Sequence, residues 1–139
     1  MTQIDFFQID DNESMLQFAC RLIDKAYHRK HKIYIHTESA SDSGELDDLL
    51  WTFRADRFIP HALRSSGISA PVHIGHEDDP GEHRDLMVNL SGKVPHFFSR
   101  FERVTEVVPR EDTKRKNARE NYKFYKDRGY PLKYYNLKK

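Results

Sequence analysis

Residues 4–37, IDFFQIDDNESMLQFACRLIDKAYHRKHKIYIHT, decide the fold. Residues 4–9 are dense in β-formers and stop at the polar Asp10, Asp11 and Asn12, which predicts a strand followed by a turn. Ser14 with Gln17 three residues later has the form of a capping box, and Met15, Ala19, Leu22, Ile23 and Ala26 then recur at helical spacing. A helix is expected over residues 14–30. Residues 32–37, KIYIHT, return to β character. Asp42 and Glu45 then suit the opening of a second helix, whose core face would be Leu46, Leu49, Leu50 and Phe53. Strand, helix, strand and helix in succession are the pattern of a parallel sheet with crossover helices.

Further along, residues 58–61 (FIPH) lead through the looser LRSSGISA into an expected short strand at 71–74. Residues 75–84 combine glycine, proline and charge without periodicity and read as a loop, and 86–90 read as another strand. A short helix over 94–101 would present Phe97, Phe98 and Phe101 to the core. Val104, Val107 and Val108 suit a buried strand, which Pro109 ends because it has no N–H to donate. Glu111 and Asp112 place negative charge where a helix exposes its free N–H groups, so a helix is expected to start within 110–112. On that helix Arg115, Arg119, Lys123 and Lys126 share one face, while Ala118, Tyr122 and Tyr125 form a neighbouring apolar stripe. The plain reading of such a charge run is a solvated face with an aromatic packing stripe. The closing GYPLKYYNLKK carries no assignment.

The 139 residues suit a single domain with a modest core, 37% hydrophobic against 32% charged. The net charge of +1 is unevenly placed: residues 100–139 hold 13 Lys/Arg against 6 Asp/Glu, leaving residues 1–99 at −6. That polarity points to an anionic partner for the C-terminal part. Cys20, the single cysteine, sits in an apolar helical pattern as a small buried hydrophobe, as in a protein of a reducing compartment. No apolar run approaches the roughly 18 residues of a membrane span, and the polar N-terminus lacks signal-peptide regions, so the expected location is the cytoplasm, with no membrane contact.

The six glycines, at 44, 67, 75, 81, 92 and 129, form neither dinucleotide-binding nor P-loop spacing, so a phosphate cradle is missing. His73, His76 and His83 fall on a strand end and a polar loop with no cysteine beside them and read as solvated loop histidines, not a metal site. His36, at the end of the second strand near Glu38 and Ser39, has no nucleophile with an orienting partner and reads as structural. The expectation is a non-enzyme with no catalytic residues, no metal and no cofactor. Trp51 lies off the leucine stripe of its helix, and Phe58, Pro60 and His61 follow in a stretch expected to be exposed beside it. Aromatic side chains gathered on an irregular surface serve as interface anchors.

These residues, taken in order, resemble the chi subunit family of bacterial DNA polymerase III holoenzyme. The likeness is carried by the leucine-rich helix ending in Trp51, then Phe58, Pro60-His61, Pro71-Val72, Arg84-Asp85-Leu86, Phe101 with the TEVV of 105–108, Pro109, Glu111-Asp112, Ala118-Arg119 and Tyr122-Lys123. It spans nearly the whole chain. The resemblance implies an α/β fold, a three-layer Rossmann-like domain with a mostly parallel sheet and no nucleotide site. It also implies a non-catalytic adaptor of the clamp-loader assembly. Such an adaptor binds the acidic C-terminal tail of single-stranded DNA-binding protein and links it to the small psi subunit, meeting nucleic acid only indirectly. Carried over by position, the tail pocket would use Val108, Arg115, Arg119, Tyr122 and Lys123, with the cations Arg115, Arg119 and Lys123 neutralising the tail and Val108 and the Tyr122 ring walling its final proline and phenylalanine. The psi-facing surface would use Trp51, Phe58, Pro60 and His61, and a repair helicase would compete for it. Arg110, Lys114 and Lys116 add charge where the family can carry neutral residues. The alternative is a nucleic-acid-binding domain that lays the basic helix on phosphates.

Overall fold

The computed structural model describes residues 1–9, 13–53, 56 and 58–136. The chain forms β1 (Gln3–Gln8), α1 (Met15–His28), β2 (Ile33–His36), α2 (Ala40–Thr52), β3 (His61–Leu63), β4 (Val72–Gly75), β5 (Leu86–Asn89), β6 (Arg103–Val108), α3 (Asp112–Asp127) and β7 (Leu132–Asn136). The strands make one sheet in the order β3-β4-β2-β5-β6-β1-β7, and each described pairing is parallel. The sheet is thus wholly parallel where a mostly parallel one was expected.

The capping box is present at the start of α1: Ser14 Oγ accepts from Gln17 N–H at 3.1 Å, and the Gln17 side chain accepts from Ser14 N–H at 3.3 Å. The stripe that follows buries Phe18, Ala19, Ile23 and Ala26. α2 begins at Ala40, two residues ahead of Asp42, because Ser39 is the cap and accepts from the Asp42 N–H. Its Leu46 and Leu50 are buried, with Leu49 and Phe53 half-buried. The turn expected at Asp10, Asp11 and Asn12 lies outside the described residues.

Alternation along the strands divides the core in two. On one face Ile33, Ile35, Val72, Ile74, Leu86 and Val88 pack with α1 and α2. On the other, Ile4, Phe6, Tyr34, Met87, Val104 and Val108 pack with α3 and with Phe97, Phe98 and Phe101. The helix expected over 94–101 is only a 3₁₀ turn at Phe98–Arg100, since its hydrogen bonds run three residues back, Phe98 to Pro95 and Arg100 to Phe97. The three phenylalanines are buried as expected.

Two strands escape a reading of side-chain pattern. β3 is three residues long at one edge, within a segment that reads as loose. β7 leaves four of its five residues exposed and forms through its backbone ladder with β1, where Phe6 pairs with Tyr134 and Gln8 with Asn136. No helix among the described residues is long and apolar enough to cross a membrane.

Candidate functional site

The unit from β6 into α3 supplies the site. β6 is buried from Val104 to Val108 because it lies in the sheet interior between β5 and β1. Pro109 then ends the ladder, and α3 opens at Asp112, within the expected window, with Arg115 N–H donating to the Glu111 carbonyl at 2.8 Å. Two polar contacts hold α3 down, through Tyr125 and Asn121, and a third, from Asn89, fixes the carboxyl that Tyr125 meets. Tyr125 Oη donates to Glu106 Oε2 at 2.6 Å, Asn89 Nδ2 donates to the same oxygen at 2.9 Å, and Asn121 Nδ2 donates to the Gly92 carbonyl at 3.1 Å. Ala118 and Tyr125 are buried beneath the helix, Tyr122 is half-buried, and Arg119, Lys123 and Lys126 stay exposed.

Where α3 crosses β6 and β1 there is a hollow of 120 Å³ lined by Phe6, Gln8, Val108, Arg115, Ala118, Arg119 and Tyr134. A cavity of about 150 Å³ accepts benzene, so this is room on the scale of a single ring and well under the roughly 300–1,000 Å³ of sites for small organic ligands. Its floor is apolar and its rim cationic. Arg115 Nε and Nη2 are both buried and have no hydrogen-bond partner among the described residues. Buried donors left unmade cost free energy, so a guanidinium in this state is poised to accept an anion. Of the residues expected to form one pocket, the fold brings Val108, Arg115 and Arg119 together. Tyr122 stands against the floor with its ring edge-on to Phe6 at 5.2 Å, while Lys123 lies outside the lining on the exposed face of the helix.

Sequence reading missed Phe6, Gln8 and Tyr134, which reach the site only through the strand order. Gln8 pairs with Val108 and Phe6 with Glu106 across the β1–β6 ladder, and β7 flanks β1 on its other side. The one local signal is parity, since Phe6 and Gln8 share a strand face.

Burial pushes the Glu106 carboxyl up to about 7, against the opposing pull of its hydrogen bonds from Tyr125 and Asn89. The same burial, with Glu106 alongside, raises the Tyr125 phenol above its ordinary value. A carboxyl raised on folding contributes stability that is fully present below its unfolded value, near 4.5, and is lost as pH rises through 7. Glu106→Gln keeps the shape and cannot ionise. The wild type should therefore lose stability relative to this variant between pH 5 and pH 8, by about 3 kcal/mol at most. Urea unfolding of both proteins at the two pH values measures this, and parallel pH profiles would show that the carboxyl does not titrate there.

The second aromatic group also comes together. Trp51 and Phe58 are 54% and 63% exposed with rings 5.6 Å apart, and Pro60 is half-buried beside them. His61, expected on the surface, is instead buried at 8% because its two ring nitrogens face backbone carbonyls, Nδ1 that of Ile59 at 2.6 Å and Nε2 that of Asp47 at 3.2 Å. Its ring supports Trp51 from below at 4.5 Å. The exposed part of the group is thus Trp51 and Phe58.

Other candidates resolve into structure. His73 and His83 are half-buried with rings stacked at 4.7 Å and each near a backbone carbonyl, so they are not the solvated loop residues expected. No group of three or more metal-ligating side chains occurs among the described residues. His36 lies against the Tyr34 hydroxyl at 2.9 Å, and burial lowers it to about 4. Burial likewise pushes the Cys20 thiol up to about 12, which leaves it a packed apolar side chain. A larger cleft of 550 Å³ opens at the carboxyl ends of β2, β5 and β6, where sheets of this kind hold nucleotides. Its described lining has a lone glycine, Gly92, and sets Glu38, Asp42, Glu45 and Glu111 against Lys93 and Lys114, a balance that repels phosphate.

Together these features define a class: an α/β protein on a Rossmann-like parallel sheet that shows no glycine-built phosphate cradle among the described residues and carries a run of positive charge on the last helix. Within that class, residues 1–133 match the family DNA polymerase III chi subunit, HolC, and the chain belongs to it. It is similar to the DNA polymerase III subunit chi of Pseudomonas aeruginosa, 42% identical over 139 residues that cover 99% of this chain and 98% of that one. The subunits of the same name from Haemophilus influenzae and Escherichia coli are each 29% identical, over 87% and 89% of this chain and 86% of their own lengths. The chain is accordingly an accessory subunit of the replicative polymerase.

Proposed function

We propose that this chain is a non-catalytic adaptor of the clamp-loader assembly, acting in the cytoplasm, and that its 120 Å³ hollow takes the acidic C-terminal tail of single-stranded DNA-binding protein. The observation that carries this reading is the pairing of an apolar, ring-sized floor with buried Arg115 nitrogens that have no hydrogen-bond partner among the described residues. A terminal carboxylate and nearby aspartates satisfy the guanidinium groups, while Phe6, Val108 and Ala118 receive an aromatic side chain. Lys123 and Lys126 extend the positive field along α3 and speed encounter with an acidic segment. Trp51 and Phe58 form a separate surface for the psi subunit or a competing repair helicase, with His61 as its support.

A labelled peptide copying an acidic tail, titrated with and without its terminal phenylalanine, tests the reading. Loss of that residue should weaken binding strongly. Equal affinity for the two peptides, or tighter and steeply salt-dependent binding to bare single-stranded DNA, would favour phosphate neutralisation by the basic helix and overturn the tail assignment. Trp51→Ala should leave peptide affinity within about twofold, while a purified psi subunit should bind at least about tenfold more weakly, as for an exposed aromatic anchor. Loss of peptide binding in a folded Trp51→Ala protein would show that the two surfaces are not separate.

A further inference from the structure

The C-terminal strand β7 sits beside the hollow, and its chemistry is unexplained by folding alone. Of LKYYN, only Leu132 is half-buried, and Tyr134 and Tyr135 remain 49% and 40% exposed. Tyr135 stacks on Phe7 at 4.8 Å on the opposite face of the sheet from the hollow. Tyr134 lines the hollow itself. Its hydroxyl donates to Gln8 Oε1 at 2.5 Å, its ring lies parallel to Phe6 at 6.3 Å and 13°, and it meets the Tyr122 ring edge-on at 6.3 Å and 72°. The side chain is therefore held at its tip and along its face, yet half of it is open to a ligand.

We infer that Tyr134 is the third wall of the tail site and the residue that selects an aromatic terminal side chain over a small one. The inference rests on the proposed tail reading and deepens it. The cations at Arg115 and Arg119 satisfy any carboxylate-ended acidic peptide and cannot by themselves distinguish its last side chain. The distinction falls to the apolar surfaces around the hollow. Among these, Tyr134 offers a fixed ring with few rotors left to freeze, the property that makes tyrosine effective at interfaces. The register of β7 on β1 puts it there, because Tyr134 pairs with Phe6.

The test is a fluorescence anisotropy titration of the full chain with two acidic peptides that differ only in ending in phenylalanine or alanine. Tyr134→Ala should weaken binding of the phenylalanine peptide about tenfold and leave the alanine peptide within about twofold, so that the wild-type preference collapses. Tyr134→Phe, which keeps the ring, should retain most of the preference. Tyr135→Ala removes a comparable ring from the other face of β7 and should leave the preference unchanged. A preference equally reduced by Tyr135→Ala would assign the effect to loosening of the strand and overturn the proposal. An intact preference in Tyr134→Ala would overturn it too, while Arg119→Ala weakening both peptides would leave the tail reading standing. If neither Arg119→Ala nor the last residue affects binding, the tail reading itself fails, a result distinct from the other two.

Discussion

Arg115→Met is expected to weaken binding of an acidic, phenylalanine-ended peptide by about 1.5–3 kcal/mol, roughly 10- to 150-fold, while leaving the melting temperature unchanged or slightly higher. The two halves of this expectation come from the same observation. Arg115 Nε and Nη2 are buried beside an apolar floor with no partner among the described residues, so in the free protein they are a cost, and in the complex they meet the ligand's charge in a partly desolvated site. Methionine preserves the aliphatic stem and removes the unsatisfied donors. Arg119→Ala should act in the same direction but less, about 1 kcal/mol, because Arg119 is exposed and its contacts are screened by solvent. Isothermal titration with the peptide and thermal unfolding of the free variants read the two halves separately. A variant at Arg115 that binds normally would remove the main support for the tail site, and one that melts much lower would mean the guanidinium has a structural partner.

Tyr125→Ala should be the most destabilising single change around the site, about 3–5 kcal/mol, with a melting temperature roughly 10–20 °C lower. Tyr125 is completely buried, with Phe6, Phe98, Phe124 and Tyr130 rings around it, and it is the only link in this set that also carries a hydrogen bond to Glu106. Truncation leaves a large cavity and withdraws one of two donors from a buried carboxyl. Against a typical total of about 5–15 kcal/mol such a loss is a large share. Tyr125→Phe keeps the ring and loses only the hydroxyl, so it should cost about 1–2 kcal/mol. Differential scanning calorimetry of both variants gives the comparison, and a Tyr125→Ala protein melting within a few degrees of wild type would mean that α3 is not docked through this residue. Peptide affinity should fall with Tyr125→Ala as well, since Arg115 and Arg119 are carried by the same helix.

The local elements were legible wherever residue chemistry acts over a few positions. The capping box at Ser14, the apolar stripe of α1, the strand-ending Pro109 and the acid-started α3 all form where the sequence places them. The separation of Ala118 and Tyr125 from Arg119, Lys123 and Lys126 was also visible, because a helix converts spacing directly into faces. β3 and β7 were not, since edge strands with few buried side chains are made by backbone pairing, which leaves little trace in residue type. His61 was misplaced for a related reason: its burial follows from two backbone carbonyls, one of them fourteen residues away.

By itself, then, the sequence determined an α/β protein with crossover helices, glycines without the spacing of a phosphate-binding motif, and a basic last helix with an apolar stripe beside its charged face, all properties of local periodicity and composition. Only the tertiary structure decided what stands opposite that helix. Strand order and register are set by non-local pairing, and they bring Phe6 and Gln8 from the start of the chain and Tyr134 from its end to Val108 and Arg115. The hollow therefore belongs to no single stretch of residues, because the β1 ladder holds the two ends of the chain side by side.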